Sequence, residues 1–147
     1  MKITDLECYS LLIPDFDADA CSSAQDNLIV KIHTDEGLIG IGETDTNPWG
    51  VKAIIDSPGT HAMGRGFKEL LVGKDPRNVE GLWHEMNEKT MMTTRRGLGI
   101  CAIGAIDMAL WDLCGKIYSQ PTWKLLGGSV KKEITPYASL LPEGRTL

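Results

Sequence analysis

The stretch Gly104-Ala105-Ile106-Asp107-Met108-Ala109-Leu110-Trp111-Asp112-Leu113-Cys114-Gly115-Lys116 has an almost wholly apolar helical pattern, with small residues at close spacing. A helix this apolar needs cover on nearly every side. After it come Pro121, Leu125-Leu126-Gly127-Gly128 and the opening of a new strand that runs only to Leu147. The sequence stops where a structure able to cover the helix would begin. The expectation is therefore one half of a larger protein.

The 147 residues suit one domain of ordinary core size, with 42% hydrophobic and 24% charged residues. A net charge of −5, with acidic and basic residues mixed along the chain, argues against a nucleic-acid surface. The cysteines at 8, 21, 101 and 114 have neither C-x-x-C nor zinc-site spacing. They read as reduced thiols, with Cys101 and Cys114 serving as small core hydrophobes. The N-terminus lacks the apolar run of a signal peptide. No stretch supplies the roughly eighteen uninterrupted apolar residues of a membrane span. A cytoplasmic location without a membrane partner is expected.

Residues 2–13 read as a strand closed by Pro14, and 15–25 as an aperiodic polar loop. Residues 27–34 form a second strand, with Leu28, Val30 and Ile32 on one face. Asp35-Glu36-Gly37 turns the chain into a third strand, Leu38 to Glu43. Gly40 and Gly42 share a face of that strand and allow a close backbone approach. Short links predict an antiparallel meander. A loop at 44–50 then leads into a helix at 51–55, broken by Ser57-Pro58-Gly59. Thr60 is expected to cap a helix to about Val72, and Asp75-Pro76 to start another. In that next helix Val79, Leu82, Trp83 and Met86 have core spacing. The apolar helix should run from Leu98 to Ile117. Strands before helices make an α+β pattern.

Gly97-Leu98-Gly99-Ile100-Cys101-Ala102 spells the dinucleotide fingerprint, but no apolar strand precedes it and none follows at βαβ distance. Its glycines read instead as positions that let helices pack closely. Asp107 and Asp112 project roughly 140° apart on a helix, so they form no carboxylate pair. Each should take an amide, hydroxyl or arginine partner. His33, His61 and His84 share no spacing, and His84 reads as a half-exposed surface group. Arg95-Arg96 at a helix start fits either an anion contact or a solvated pair.

Asn27 to Glu43, with its Asp35-Glu36-Gly37 turn and its two glycines, resembles the β-hairpin of the mandelate racemase and muconate lactonizing enzyme family. Ala105-Ile106-Asp107-Met108-Ala109-Leu110-Trp111-Asp112-Leu113, Gly115-Lys116, Pro121 and Leu125-Leu126-Gly127-Gly128 resemble that family's second signature, at the right distance. The resemblance places the chain in the enolase superfamily. It implies a capping domain over residues 1–133, a three-stranded antiparallel meander followed by a helical bundle. Residues 134–147 would then open a (β/α)7β barrel that is otherwise missing.

In such enzymes the barrel carries the catalytic base and the carboxylates that bind Mg²⁺, so this chain is expected to hold no catalytic or metal residue of its own. The implied chemistry is removal of the proton α to a carboxylate, with Mg²⁺ stabilising the resulting enediolate. By resemblance, the loops Asp15–Gln25 and Asp45–Gly50 close the barrel mouth, exclude water and help choose the substrate. Phe16, Asp17, Asn47 and Trp49 are the expected substrate-facing residues. Tyr137 and Ser139 would be delivered by the first barrel strand, and Arg95 is a further candidate. Polar loops favour a sugar acid, hence an acid-sugar dehydratase. A racemase, epimerase or cycloisomerase of the same family is the alternative. The partners implied are a small carboxylate, the chain's own barrel and further copies of the parent enzyme.

A free-standing binding module is the competing reading. Such a module should carry polar residues on its barrel-facing side, and the region around Trp111 and the run 117–126 show little such replacement.

Overall fold

The structure, a computed structural model, describes residues 1–20, 23–129 and 131–138. Three strands, β1 (Ile3–Leu12), β2 (Asp26–Thr34) and β3 (Ile39–Thr44), form an antiparallel sheet in the order β1-β2-β3. The predicted meander is present, with its turn closed by Gly37 at φ 81° and by a bond from its N–H to the Thr34 carbonyl. Period-two alternation sets the inner face of the sheet. Leu6, Ile32 and Gly40 form one row across it, Cys8, Val30 and Gly42 the next, and Ser10, Leu28 and Thr44 the last.

Five helices follow among the described residues: α1 (Pro48–Asp56), α2 (Phe67–Leu71), α3 (Val79–Lys89), α4 (Leu98–Ile117) and α5 (Thr122–Leu125). The long α4 has the predicted bounds and lies along β3. A Cβ built on Gly40 would stand 2.1 Å from the Ala109 carbonyl oxygen, and one on Gly42 1.9 Å from that of Ala105. The two glycines therefore let helix backbone rest directly on strand backbone. Ala102, Ala105, Ala109 and Leu113 are buried, and Ile103, Ile106 and Leu110 join Val51, Ile55, Phe67, Leu82 and Met86 in the same core.

As the last strand of the sheet, β3 would leave a row of backbone groups unpaired. Side chains of α4 satisfy two of them. Ile41 N–H donates to the Asp112 carboxylate at 2.8 Å, and Lys116 Nζ donates to the Ile39 carbonyl and to Asp112, each at 2.6 Å. Asp112 thus has the amide partner expected of it.

Three local expectations are corrected. The helix expected from Thr60 shrinks to α2. Residues 57–66 instead fold on themselves, with Thr60 N–H on the Gly64 carbonyl, Gly59 N–H on Glu69, and Arg65 paired with Glu69. Asp75 does not cap α3. Its carboxylate takes the Arg77 amide and guanidinium, a turn carries the chain to Asn78, and the helix begins at Val79. Gly99 packs against Thr94 of the preceding turn rather than against another helix. The expected barrel strand at 134–147 falls mostly outside the described residues, of which 134–138 are irregular. A parallel strand needs neighbours on its edges, and here Ile134 and Tyr137 are 85% and 89% exposed. The membrane argument also changes. By length and composition α4 could cross a bilayer, and it is the one such helix among the described residues. Its buried side nevertheless belongs to the core just described.

Candidate functional site

One end of the sheet's inner face opens into a cleft. Beyond the last core row, Leu12 pairs with Asp26, and both line a cavity of about 700 Å³ between residues 16–20, with Gln25, and the chain entering α1. Phe16, Asp17, Asn47 and Trp49, the four loop residues expected to face a substrate, all line it. Gln25, Asp26, Asp45 and Thr46 line it as well.

Each wall has its own support. The first loop is clasped at its neck by Gln25. Its amide nitrogen donates to the Asp17 carbonyl at 2.9 Å, and its amide oxygen accepts the Asp17 N–H at 2.6 Å. Asp17 then accepts the Asp19 N–H at 2.9 Å, which tightens the tip. The second wall is the start of a helix rather than a loop through Gly50. Asn47 takes a left-handed conformation, φ 34° and ψ 71°, and its side chain accepts the Gly50 N–H at 3.0 Å as the N-cap of α1. Asparagine tolerates that conformation better than most residues. Pro48 follows as the first helical residue, where its fixed φ suits the helix. Trp49 is therefore held by a helix, which aims it more firmly than a loop would. Phe16 and Trp49 leave about half their surface in the cleft or solvent, 51% and 55% exposed.

Arg95 does not line the cleft. It is exposed in the segment before α4, as is Arg96, and neither has an ion-pair partner among the described residues. Tyr137 is exposed in the irregular stretch after α5 and is not among the lining residues. Ser139 lies outside the described residues. Sequence reasoning does not single out Gln25, Asp26 or Asp45. The antiparallel register is the available signal, because it pairs Asp26 with Leu12 at the sheet's end.

A second cavity, about 310 Å³, lies between α3 and α4 and is lined by Glu80, Trp83, His84, Asp107 and Trp111. Burial pushes the Asp107 carboxyl above its ordinary range, and Glu80 adds to the effect. Asp107 lacks the partner expected for it: no described residue hydrogen-bonds its carboxylate. His84 stands edge-on to Trp83, their ring centroids 5.4 Å apart. Cys8, Cys101 and Cys114 are free thiols, as expected for those three, and burial raises the Cys8 thiol to about 11.

The chain matches the model of the mandelate racemase / muconate lactonizing enzyme N-terminal domain over residues 14–127. It is 33% identical over 112 residues to an L-rhamnonate dehydratase of Saccharopolyspora erythraea, covering 76% of this chain and 26% of that protein. Among solved structures, the 3,6-anhydro-D-galactonate cycloisomerase of Zobellia galactanivorans superposes with a TM-score of 0.70 at 35% identity, over 87% of this chain and 32% of the other. A predicted mandelate racemase from Rhodobacter sphaeroides gives 0.74 at 30% identity, over 86% and 32%. The chain spans about a quarter of the curated relative and about a third of each solved one. With the meander, the glycine-bedded α4 and the two-walled cleft all in place, the chain belongs to the mandelate racemase / muconate lactonizing enzyme family, as an N-terminal capping domain of the enolase superfamily.

Proposed function

We propose that this chain is the substrate-facing cap of an acid-sugar dehydratase, completed by a barrel that carries the chemical step. The observation that supports the reading is the cleft, where two independently braced segments bring Phe16, Asp17, Asn47 and Trp49 around one volume. The similarity to an L-rhamnonate dehydratase points the same way. In the proposed reaction the proton α to the carboxylate leaves, the β-hydroxyl departs as water, and the resulting enol becomes a 2-keto-3-deoxy acid. The cap's part is to bind the far end of the substrate, hold it in register and keep water from the enediolate.

Among the described residues no three His, Cys, Asp or Glu side chains converge as a metal site. A hard cation needs several converging oxygens, so residues outside those described would hold the magnesium of the proposed reaction. Once a barrel is present, Ser139, with Arg95 as a further candidate, is proposed to touch the substrate carboxylate, and Tyr137 to reach the site beside it.

The test is a panel of sugar acids offered to the full-length polypeptide that carries residues 1–147 together with a barrel. Formation of a 2-keto-3-deoxy acid, read as its semicarbazone, is the expected result. Loss of optical rotation or solvent-deuterium exchange without a keto product would replace the dehydratase reading with a racemase or epimerase.

A further inference from the structure

The charge of the cleft is one-sided. Three carboxylates, Asp17, Asp26 and Asp45, line it, and among the described lining residues there is no lysine or arginine. Asp17 is partly satisfied by the Asp19 N–H, whereas no described donor reaches the carboxylates of Asp26 and Asp45. The three do not form a metal cluster. The remaining described lining is neutral and includes Gln25, Thr46 and Asn47 with the aromatic Phe16 and Trp49.

We infer that this cleft selects sugar acids with a single carboxylate and a neutral polyol tail, and rejects those with a second carboxylate at the tail. The inference rests on the dehydratase reading above and names the substrate class within it. Hydroxyl groups are the donors that unpaired carboxylates need, and an O–H donating to an ionised carboxylate makes a short, strong bond. The aromatic faces suit the C–H side of the same tail, as apolar surface with half its area open. A second carboxylate brought into this volume would meet three like charges with no cation among the described lining residues to offset them. Like charges sharing a site disfavour ionisation, and the cost grows as water leaves. The substrate's own reactive carboxylate must therefore point away from this cleft, which reads only the tail.

The test uses the same barrel-bearing polypeptide and matched pairs of substrates, an aldonate and the aldarate of the same configuration. The expected result is a kcat/KM at least tenfold higher for the monoacid. In the triple variant Asp17→Asn, Asp26→Asn, Asp45→Asn, that ratio should fall at least tenfold toward parity. Circular dichroism melting establishes that the variant is folded. Asp45→Asn alone, at an exposed position, should move the ratio in the same direction by a smaller factor if the triple variant melts early. Turnover of the diacid equal to or better than the monoacid overturns the inference alone, as does a ratio that neither variant changes. Turnover of neither acid, with another carboxylate accepted instead, overturns the dehydratase reading and the inference with it.

Discussion

Replacing Gly42 with alanine should separate the two halves of this fold. The new Cβ would lie 1.9 Å from the Ala105 carbonyl oxygen and 2.8 Å from the Ala109 nitrogen. Ordinary carbon contacts need about 3.5 Å, so α4 must retreat by roughly 1.5 Å. The obstacle is helix backbone, which cannot rotate away as a side chain would. Overpacking costs about 1–3 kcal/mol in general, and a rigid partner puts this case near the upper end, about 3 kcal/mol. With a urea m-value of about 1.5 kcal/mol/M, the midpoint should drop by about 2 M. Two other glycines supply controls of different sign. Gly104 sits inside α4, and a Cβ added there would meet nothing within 4 Å, so Gly104→Ala should stabilise by up to about 1 kcal/mol through helix propensity. Gly37 has equal space but φ 81°, so Gly37→Ala should cost about 1 kcal/mol from the left-handed backbone alone. The assay is urea unfolding followed by circular dichroism. A Gly42→Ala midpoint indistinguishable from that of the unmodified chain would refute the reasoning. So would a Gly104→Ala variant as damaged as Gly42→Ala.

Further predictions concern the cap, the strand edge, pH and the exposed face. Asn47→Ala should lose about 1–2 kcal/mol, from the missing cap and the left-handed backbone, while Asn47→Gly should lose less; equal losses in chemical denaturation would contradict the backbone part. Asp112→Ala leaves the Ile41 N–H without its acceptor and should cost about 1–2 kcal/mol, with faster hydrogen exchange at Ile41 as the local readout. Arg77 holds the Asp75 carboxyl down at about 2, against an ordinary value of 3.8. Its stabilising contribution is therefore present above pH 3.8 and lost as pH falls through about 2; Asp75→Asn should flatten that part of the acid-unfolding curve, and an unchanged curve would count against the pair. Cys8 works in the opposite direction. Its thiol is raised by burial from 9.0 to about 11, so its contribution is present below pH 9.0 and lost through about 11, and Cys8→Val should remove that alkaline loss. Ile100, Met108, Tyr118, Trp123 and Leu126 are each between 43% and 60% exposed, so the chain on its own should bind a hydrophobic dye or self-associate; a monodisperse monomer that binds no dye would favour the free-standing module.

The meander, α4 and the close approach at Gly40 and Gly42 are legible in the sequence because each rests on a local period. Alternation at Leu28, Val30 and Ile32 fixes which side of a strand is buried. The small residues at 102, 105 and 109 mark the stripe of α4 that meets the sheet. Local capping signals are less decisive, since Asp75 has a nearer partner in Arg77 and Thr60 lies in a segment that satisfies its own backbone. The cleft residues Phe16, Asp17, Asn47 and Trp49 can be singled out by segment, but their meeting cannot. It depends on the Gln25 clasp, on the left-handed Asn47 that starts α1 one turn earlier than expected, and on the register that sets Asp26 against Leu12. Sequence determines such things only where neighbours along the chain interact. The convergence of Asp17, Asp26 and Asp45 on one volume, with no cation among the described lining residues, is a through-space property of charges nine and nineteen positions apart, and only the packing of the sheet end against α1 decides it.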